Sequence, residues 1–225
     1  MKVVILMAGI GSRLGNPFPK CLTPLRENLC ILDHQLMNLA EFSGQIIGVV
    51  GFKKDLVMER HPELMFVYNP RYDQTNTSKS LLAALEHFEN EDVLWLNGDV
   101  VFDKRILPEL LKCQHSCMAV VTSKVGEEEI KFTTNERGFI NAVSKQVAHA
   151  RGEAVGINLI RAKDIGLFTQ TLRECADQDY FEKGLELALT RGLELKPVDV
   201  THLPCLEVDF PSDLEAAKQL PVHHN

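Results

Sequence analysis

Short apolar runs alternate with amphipathic segments through the first half of the chain. Four runs have the length and β-branched content of buried strands: residues 1–6, 45–51, 65–68 and 92–96. Three segments carry apolar residues at helical spacing: 31–42, 54–60 and 78–88. Strands that alternate with helices predict parallel βαβ units, whose βα loops meet at one edge of the sheet. We therefore expect residues 7–20, the 69–80 loop and Asp99 at that edge.

The pattern changes in the second half, where strand-like runs follow one another without intervening helices. These runs lie at 118–123, 130–134 and 139–144, and they predict antiparallel additions. The remaining predicted elements are a strand at 155–160, helices near 162–174 and 180–190, a strand near 195–200 and a last helix capped by Ser212. The whole indicates the α/β class: a Rossmann-like, mixed, mostly parallel sheet flanked by helices, with small antiparallel additions. No Pro/Gly/Ser-rich linker divides residues 1–225, which predicts a single domain.

Composition and charge argue against several classes of protein. A hydrophobic content of 45% is ordinary for a globular chain, and a formal net charge of −7 argues against nucleic acid as a partner. No apolar run approaches the ~18–20 residues that span a bilayer. Gly9, Gly11 and Arg13 interrupt any signal-peptide core. We expect a cytoplasmic protein with no membrane partner, whose six cysteines are reduced thiols.

The segment LMAGIGSRLGNPFPK, residues 6–20, carries candidate chemistry directly after the first strand. Its glycines free the backbone to turn N–H groups toward an anion, and its hydroxyl and cationic side chains add donors. The residues concerned are Gly9, Gly11, Gly15, Ser12, Arg13 and Lys20. The dinucleotide motif GxGxxG and the Walker A motif both require a glycine at position 14, where this chain has leucine. The segment is therefore predicted to be a phosphate-binding loop of another type.

This segment resembles the signature L-A-A-G-x-G-[ST]-R-[LM]…P-K of the nucleotidyltransferases that activate sugar phosphates and phospho-alcohols, with Met7 in place of the usual alanine. Four later segments extend the resemblance: YNPRYDQTNTSKSL at 68–81, NGDVVF at 97–102, DYFEKGLELAL at 179–189 and LEVDFPSDLEAA at 206–217. The first of these is most similar to phosphocholine cytidylyltransferase-like enzymes. The resemblance implies a GT-A-like nucleotidyltransferase fold, with a nucleotide-binding half at about 1–115 and an acceptor-binding half at about 116–225.

The resemblance also implies a reaction, in which a phosphate or phosphonate oxygen attacks the α-phosphorus of CTP and pyrophosphate leaves. As catalytic residues, Arg13 would hold the β- and γ-phosphates and Lys20 would stabilise charge at the α-phosphoryl group. The expected nucleotide-binding residues are Leu6, Ala8, Gly9, Gly11, Ser12, Arg13, Asn76, Thr77 and Ser80. The structural alternative for Lys20 is a solvated turn lysine.

Two aspartates, Asp99 and Asp209, are the candidate ligands of Mg²⁺, the expected cofactor. Each ends an apolar strand, where a lone buried carboxylate is unfavourable. Mg²⁺ typically binds one or two carboxylates together with phosphate oxygens. Aspartates that merely cap a helix or stabilise a turn are the alternative at both positions.

The base and the acceptor are less well specified. Asn76 carries both a donor and an acceptor and could read either cytosine or uracil, so the assignment of CTP rests on the resemblance. The expected acceptor-binding residues are Tyr180, Phe181, Glu182 and Glu207. Aromatic residues make up only 7% of the chain, few for the cage that a quaternary ammonium requires, and Glu182 and Glu207 could instead meet a primary ammonium or hydroxyl groups. For Tyr180 and Phe181 the alternative is helix packing.

Three functions are compatible with these sequence features. A cytidylyltransferase acting on a small phospho-alcohol or phosphonate is preferred over a sugar-1-phosphate uridylyl- or thymidylyltransferase. A non-catalytic nucleotide-binding module is the third, and the joint presence of Arg13, Lys20, Asp99 and Asp209 argues against it. The chain is expected to be a monomer or a homodimer.

Overall fold

In the computed structural model, which describes residues 1–42, 45–123, 125–126 and 129–220, a nine-stranded mixed sheet carries helices on both faces. The strands are β1 (Lys2–Met7), β2 (Pro24–Arg26), β3 (Leu29–Cys30), β4 (Ile46–Val50), β5 (Met65–Tyr68), β6 (Val93–Asn97), β7 (Val100–Phe102), β8 (Ser116–Val121), β9 (Lys131–Thr134), β10 (Ile140–Ser144), β11 (Gly152–Ile160), β12 (Leu195–Asp199) and β13 (Cys205–Glu207). The helices are α1 (Ile31–Asn38), α2 (Lys54–Arg60), α3 (Thr77–Leu85), α4 (Ile106–Lys112), α5 (Ala162–Glu174), α6 (Phe181–Thr190) and α7 (Pro211–Lys218).

The first half of the chain builds the parallel part of the sheet, in the order β6-β1-β4-β5. Strand β11 joins it through an antiparallel pairing with β6, and it also pairs with β8 and β9. Two small antiparallel sheets, β2–β3 and β7–β13, lie apart from the main sheet. The predicted fold class, with a parallel sheet and antiparallel additions, is confirmed.

Apolar side chains fill both faces of the sheet. One core lies beneath α1 and α4, and the other lies beneath α3, α5 and α6. Trp95, at the centre of β6, is fully buried in the second core. Its ring stacks on Phe168 at 5.3 Å and meets Phe181 edge-on at 5.6 Å, as measured between ring centroids. This packing fixes the start of α6 against the sheet.

The last helix begins differently from the prediction. Asp213 accepts hydrogen bonds from the backbone N–H groups of Asp209 and Phe210, at 3.1 and 2.7 Å. The prediction that Ser212 caps this helix was wrong, because the helix begins at Pro211 with Phe210 in the N-cap position, so Ser212 lies inside the first turn. The cap holds Asp209 directly against the helix terminus.

In the part of the chain described above, no helix combines the length and the apolar character that crossing a bilayer requires.

Candidate active site

A cleft of about 890 Å³ opens where β1 and β6 end. The glycine-rich loop, the segment around Thr75–Thr77 and Asp99 all contribute to its walls. Glu207 and Asp209 reach it from β13 and the turn that follows. The expected meeting of these segments at one edge of the sheet is therefore observed, as the topology of parallel strands requires.

The glycine-rich loop folds closely over Lys20. Gly11 has a φ of +64°, a left-handed conformation that glycine adopts without strain, and a Cβ at this position would lie 3.0 Å from the Cβ of Lys20. Two short 3-10 helices follow, Ser12–Leu14 and Lys20–Leu22. The backbone of Ser12 belongs to the first of them, while its side chain lies outside the described atoms.

The ammonium of Lys20 lies between two carboxylates. Its Nζ donates to Asp99 Oδ2 at 2.6 Å and to Asp209 Oδ1 at 2.5 Å. The three side chains are only partly exposed, at 13%, 21% and 31%. Burial opposes the charge of the ammonium, but the two carboxylates outweigh it and raise the pKa of Lys20 above its ordinary value. Lys20 is thus a charged group inside the cleft, and the solvated-turn alternative does not describe it.

The same two aspartates form a donor set that suits a divalent cation. Asp99 Oδ1 is buried and has no hydrogen-bond partner among the described residues. An unpaired carboxylate oxygen of this kind is unfavourable without a ligand. Mg²⁺ prefers carboxylate oxygens that point into a site open to phosphate, so the residues present fit this ion.

Arg13 stands at the rim of the cleft, beside the same site. Its Nη1 lies 3.5 Å from Asp209 Oδ2, and its guanidinium is 6.0 Å from the ring centroid of Phe210. The side chain is 48% exposed, so the planar donor fork is available to an incoming anion.

A small recess of about 60 Å³ adjoins the glycine-rich loop. Its walls come from β1, the loop and the start of α3: Leu6, Ala8, Gly9, Tyr72, Thr75, Asn76, Thr77 and Ser80. Asn76 caps α3, because its Oδ1 accepts from the backbone N–H of Thr77 at 2.8 Å. Ser80 is buried, and its hydroxyl accepts from Asn69 at 3.0 Å. Six of the nine predicted nucleotide-binding residues thus line this recess, while Gly11 and Arg13 line the larger cleft. Asn76 and Ser80 also hold the loop.

The loop that ends in α3 is also bonded to the segment that leads into α6. The backbone N–H of Asn76 donates to the carbonyl oxygen of Asp177 at 2.7 Å. The backbone N–H of Phe181 donates to Thr77 Oγ1 at 3.0 Å. We call these two contacts the α3–α6 link.

The cleft continues beyond Asp99 and Asp209 into a region that we call the acceptor end. Its lining includes Lys145, Gly156, Tyr180, Glu182 and Glu207. Tyr180 is 43% exposed, with Lys145 Nζ 5.6 Å from its ring centroid. Phe181 also lines the cleft, but it is 1% exposed and its ring packs on Trp95, as the helix-packing alternative expects. Its contact with the acceptor stays a prediction.

Two glutamates of the acceptor end are shielded from water. Burial raises the pKa of the Glu182 carboxyl to about 7, although its own backbone N–H and Lys145 favour the charged form. Burial and then the charge of Asp99 raise the pKa of Glu207, against a hydrogen bond of 3.1 Å from Asn97 Nδ2. Both predicted glutamates therefore lie in the cleft as poorly solvated carboxyl groups.

Sequence reasoning missed several residues of the acceptor end. Glu129, Lys145, Glu153 and Gly156 line the cleft because β9, β10 and β11 fold back over its edge. Gly156 could have been identified from the sequence, because an isolated glycine in a strand pattern indicates a β-bulge or a close approach of another group to the backbone. It lies at the register shift between β11 and β8, with a φ of +66°.

Replacing Gly156 with alanine is expected to lower the free energy of unfolding by about 1–3 kcal/mol. A Cβ here would clash with Glu207 Oε1 and lie 2.9 Å from Asn97 Nδ2, and the left-handed backbone adds strain. Urea denaturation measures the effect. The matched control is Gly166→Ala in the exposed middle of α5, where a Cβ meets nothing within 4 Å and a gain of about 0.5–1 kcal/mol is expected. Equal stability of Gly156→Ala and the wild type would contradict the close packing of Glu207.

Another group of metal-ligating side chains lies outside the cleft. Among the described residues, Cys30, Asp33 and His61 bring ligand atoms within 4.8 Å of one another, whereas Cys113, His115 and Cys117 form no such group. Asp33 is already paired with Arg60 at 2.5 Å, so its charge is matched by the protein itself.

Comparison with known proteins agrees with this geometry. Residues 3–204 match the family model described as a MobA-like NTP transferase domain. The chain is 37% identical to a CMP-5'-(3-aminopropyl)phosphonate synthase of Streptomyces rubellomurinus, in an alignment 244 positions long that covers 96% of this chain. It is 32% identical over 168 residues, 72% of its length, to the bifunctional protein GlmU of Methanococcus maripaludis. The chain spans about two fifths of each relative, 38% and 39% of their lengths.

A solved structure shows the same fold. The inositol-1-phosphate CTP transferase from T. maritima superposes with a TM-score of 0.76 at 17% identity, over 99% of this chain and 98% of the other. The nucleotidyltransferase fold expected from the sequence is confirmed.

Proposed function

Because this chain belongs to the family of MobA-like NTP transferase domains, we propose that it transfers CMP from CTP to a small phosphonate or phosphate monoester and releases pyrophosphate. The observation that carries the proposal is the Lys20 ammonium held between Asp99 and Asp209 in the cleft beside the glycine-rich loop. A cation and two carboxylates of this kind are what phosphoryl chemistry needs, since positioning and charge stabilisation dominate its catalysis.

The proposed reaction balances without a protein base. An acceptor oxygen, already ionised at neutral pH, forms a bond to the α-phosphorus. The bond from that phosphorus to the oxygen bridging the α- and β-phosphates breaks, and its electron pair leaves with pyrophosphate. Lys20 stabilises the charge that develops on the α-phosphoryl oxygens, and Arg13 holds the departing pyrophosphate.

The backbone N–H groups around Gly9 and Gly11 complete the proposed triphosphate site. The proposed position of the base is beside the recess that Asn76 and Thr77 line, where polar side chains adjoin apolar ones. Asp99 and Asp209 would hold Mg²⁺, which when bound neutralises phosphate charge.

The choice of CTP and of a small acceptor draws support from two sources. The relative that matches 96% of the chain is named as a synthase of a CMP-linked phosphonate. The acceptor end is lined by Tyr180, Glu182 and Glu207, whose polar groups can contact the far end of a small acceptor.

A pyrophosphate-release assay tests the proposal. The chain is incubated with Mg²⁺ and each of CTP, UTP, dTTP, ATP and GTP, in combination with alkyl phosphonates, phosphate monoesters and hexose 1-phosphates. We expect release with CTP and a small phosphonate or phosphate monoester. Release with UTP or dTTP and a hexose 1-phosphate would replace the proposal with the sugar-nucleotide reaction, and no release with any pair would leave the nucleotide-binding module.

A further inference from the structure

Asp99 lies in a tight turn from Asn97 to Val100, which we call the β6–β7 turn. It joins β6 of the main sheet to β7 of a small separate sheet. The Lys20 ammonium donates to Asp99 Oδ2 at 2.6 Å, so the position of the turn decides where the carboxylate meets the lysine. Because a misplacement of ~1 Å can cost ~10²-fold in rate, the backbone of this turn has to be held closely.

One edge of β7 faces away from its partner strand. Where the antiparallel pairing with β13 starts, the Val208 N–H donates to the carbonyl oxygen of Asp99 at 3.0 Å. Along such a ladder, residues whose backbone groups point to the partner alternate with residues whose groups point away. The carbonyl groups of Val100 and Phe102 therefore face away from β13 and need donors from another element.

Two amide side chains of α1 supply these donors. Asn38 Nδ2 donates to the carbonyl oxygen of Phe102 at 2.7 Å. Gln35 Nε2, one turn earlier on the helix, donates to the carbonyl oxygen of Val100 at 2.8 Å and to that of Asn97 at 2.9 Å. These two carbonyls lie at the two ends of the β6–β7 turn, so a single amide group ties both ends to α1.

Gln35 gains nothing else from its position. Its side chain is 0% exposed, and its Oε1 has no hydrogen-bond partner in the part of the chain that the structure describes. A buried amide oxygen without a donor carries a desolvation cost. The reverse orientation of the amide would set that oxygen against two carbonyl oxygens. The benefit of a glutamine at this position therefore lies in its two bonds to the β6–β7 turn.

We propose that Gln35 is a positioning residue for nucleotidyl transfer, which holds the Asp99 carboxylate in place against Lys20 before any substrate arrives. Gln35 lies outside the cleft lining and acts only through the backbone of the turn. It belongs to a helix, and a helix holds a side chain more precisely than a loop does. The inference rests on the proposed function and adds to it a residue away from the reacting groups.

Gln35→Met tests this role, because methionine keeps the length of the side chain and removes both donors. The Gly98 N–H, which donates to the carbonyl oxygen of Leu6 at 2.9 Å, and the Val208 N–H report on the β6–β7 turn. In the metal-free protein, their hydrogen exchange is expected to be ~10-fold or more faster in the variant than in the wild type. Calorimetric titration without nucleotide should show a Mg²⁺ affinity lowered by ~10-fold, as for an outer partner of a metal ligand.

Asn38→Leu is the matched control. It removes an amide donor of the same kind from the same helix, but the carbonyl that it leaves unpaired belongs to Phe102, at the far end of β7. Thermal unfolding should show both variants to be less stable than the wild type. Hydrogen exchange at the two reporting groups, Mg²⁺ affinity and pyrophosphate release are expected to change in Gln35→Met alone, whereas a merely structural glutamine would make the two variants alike.

The wild type provides a test that needs no variant to fold. Because the β6–β7 turn is already held by α1, Gly98 and Val208 should be protected from hydrogen exchange in the metal-free protein. Protection that appears only after Mg²⁺ and CTP are added would overturn the proposal.

The positioning role and the transfer reaction fail in different ways. If the wild type releases pyrophosphate, and hydrogen exchange and Mg²⁺ affinity are the same in Gln35→Met, the role of Gln35 is overturned and nucleotidyl transfer stands. Changes of equal size in Asn38→Leu also overturn that role. A wild type that releases no pyrophosphate with any pair of substrates overturns the transfer reaction, and with it the role of Gln35 in that reaction.

Discussion

Replacement of Lys20 by methionine is expected to lower kcat by ~10²–10³-fold, the range seen when one preorganised donor to a developing negative charge is removed. Methionine keeps the methylenes beneath Gly11 and removes only the ammonium that faces Asp99 and Asp209. Pyrophosphate release with CTP and the preferred acceptor measures the effect. The control is Lys54→Met, at a half-buried lysine outside the cleft lining, whose ammonium pairs with Asp55 and lies 5.5 Å from the ring centroid of Tyr68.

The same variant should bind Mg²⁺ more tightly in the absence of nucleotide. The ammonium and a divalent cation compete for the same two carboxylates, and removing the ammonium leaves the carboxylates to repel each other until a cation arrives. Calorimetric titration with Mg²⁺ reads this change without relying on turnover. Unaltered turnover in Lys20→Met would remove the lysine from the mechanism, and unaltered Mg²⁺ affinity would place the ion elsewhere.

Replacement of Asp99 by asparagine is expected to reduce turnover by a similar ~10²–10³-fold, for a different reason. The amide preserves the shape of the side chain but removes the negative charge of the carboxylate. In the wild type, Oδ1 of this carboxylate is buried and Oδ2 accepts from Lys20. Loss of even an outer partner of a metal ligand typically costs ~10–100-fold in affinity, so loss of the ligand itself should raise the Mg²⁺ requirement by at least ~100-fold.

The dependence of turnover on Mg²⁺ concentration checks this expectation. Asp55→Asn serves as the control, because that carboxylate is exposed and lies outside the cleft lining. An Asp99→Asn variant with the wild-type Mg²⁺ dependence contradicts the role given to Asp99. Its double mutant with Lys20→Met should lose less than the two single effects combined, since the side chains act as a unit.

Sequence patterns predicted the helices and strands best where the same spacing of apolar residues continues through the whole element. The helix expected near 162–174 is α5, Ala162–Glu174, and the first strand is β1, Lys2–Met7. Strand β7 was missed, because three residues cannot display an alternation of period two. The apolar strand expected before Asp209 is β13, which carries Glu207.

Sequence motifs identified individual candidate site residues, but they did not predict which of these residues contact one another. Lys20 meets Asp99 across 79 positions of sequence and Asp209 across 189, and no spacing rule joins residues so far apart. The lysine was expected beside phosphate. That it also neutralises both candidate metal ligands emerged only from three-dimensional packing. In the same way, Phe181 was expected at the acceptor because nothing in the sequence reveals that Trp95 takes up its ring.

The α3–α6 link has a consequence for communication between the two ends of the cleft. The residues that border the recess and the turn that carries Glu182 are hydrogen bonded to each other, so a displacement of one strains the bonds to the other. We therefore expect ligands bound at the two ends to raise each other's affinity by the same factor, because coupling between two binding sites is reciprocal.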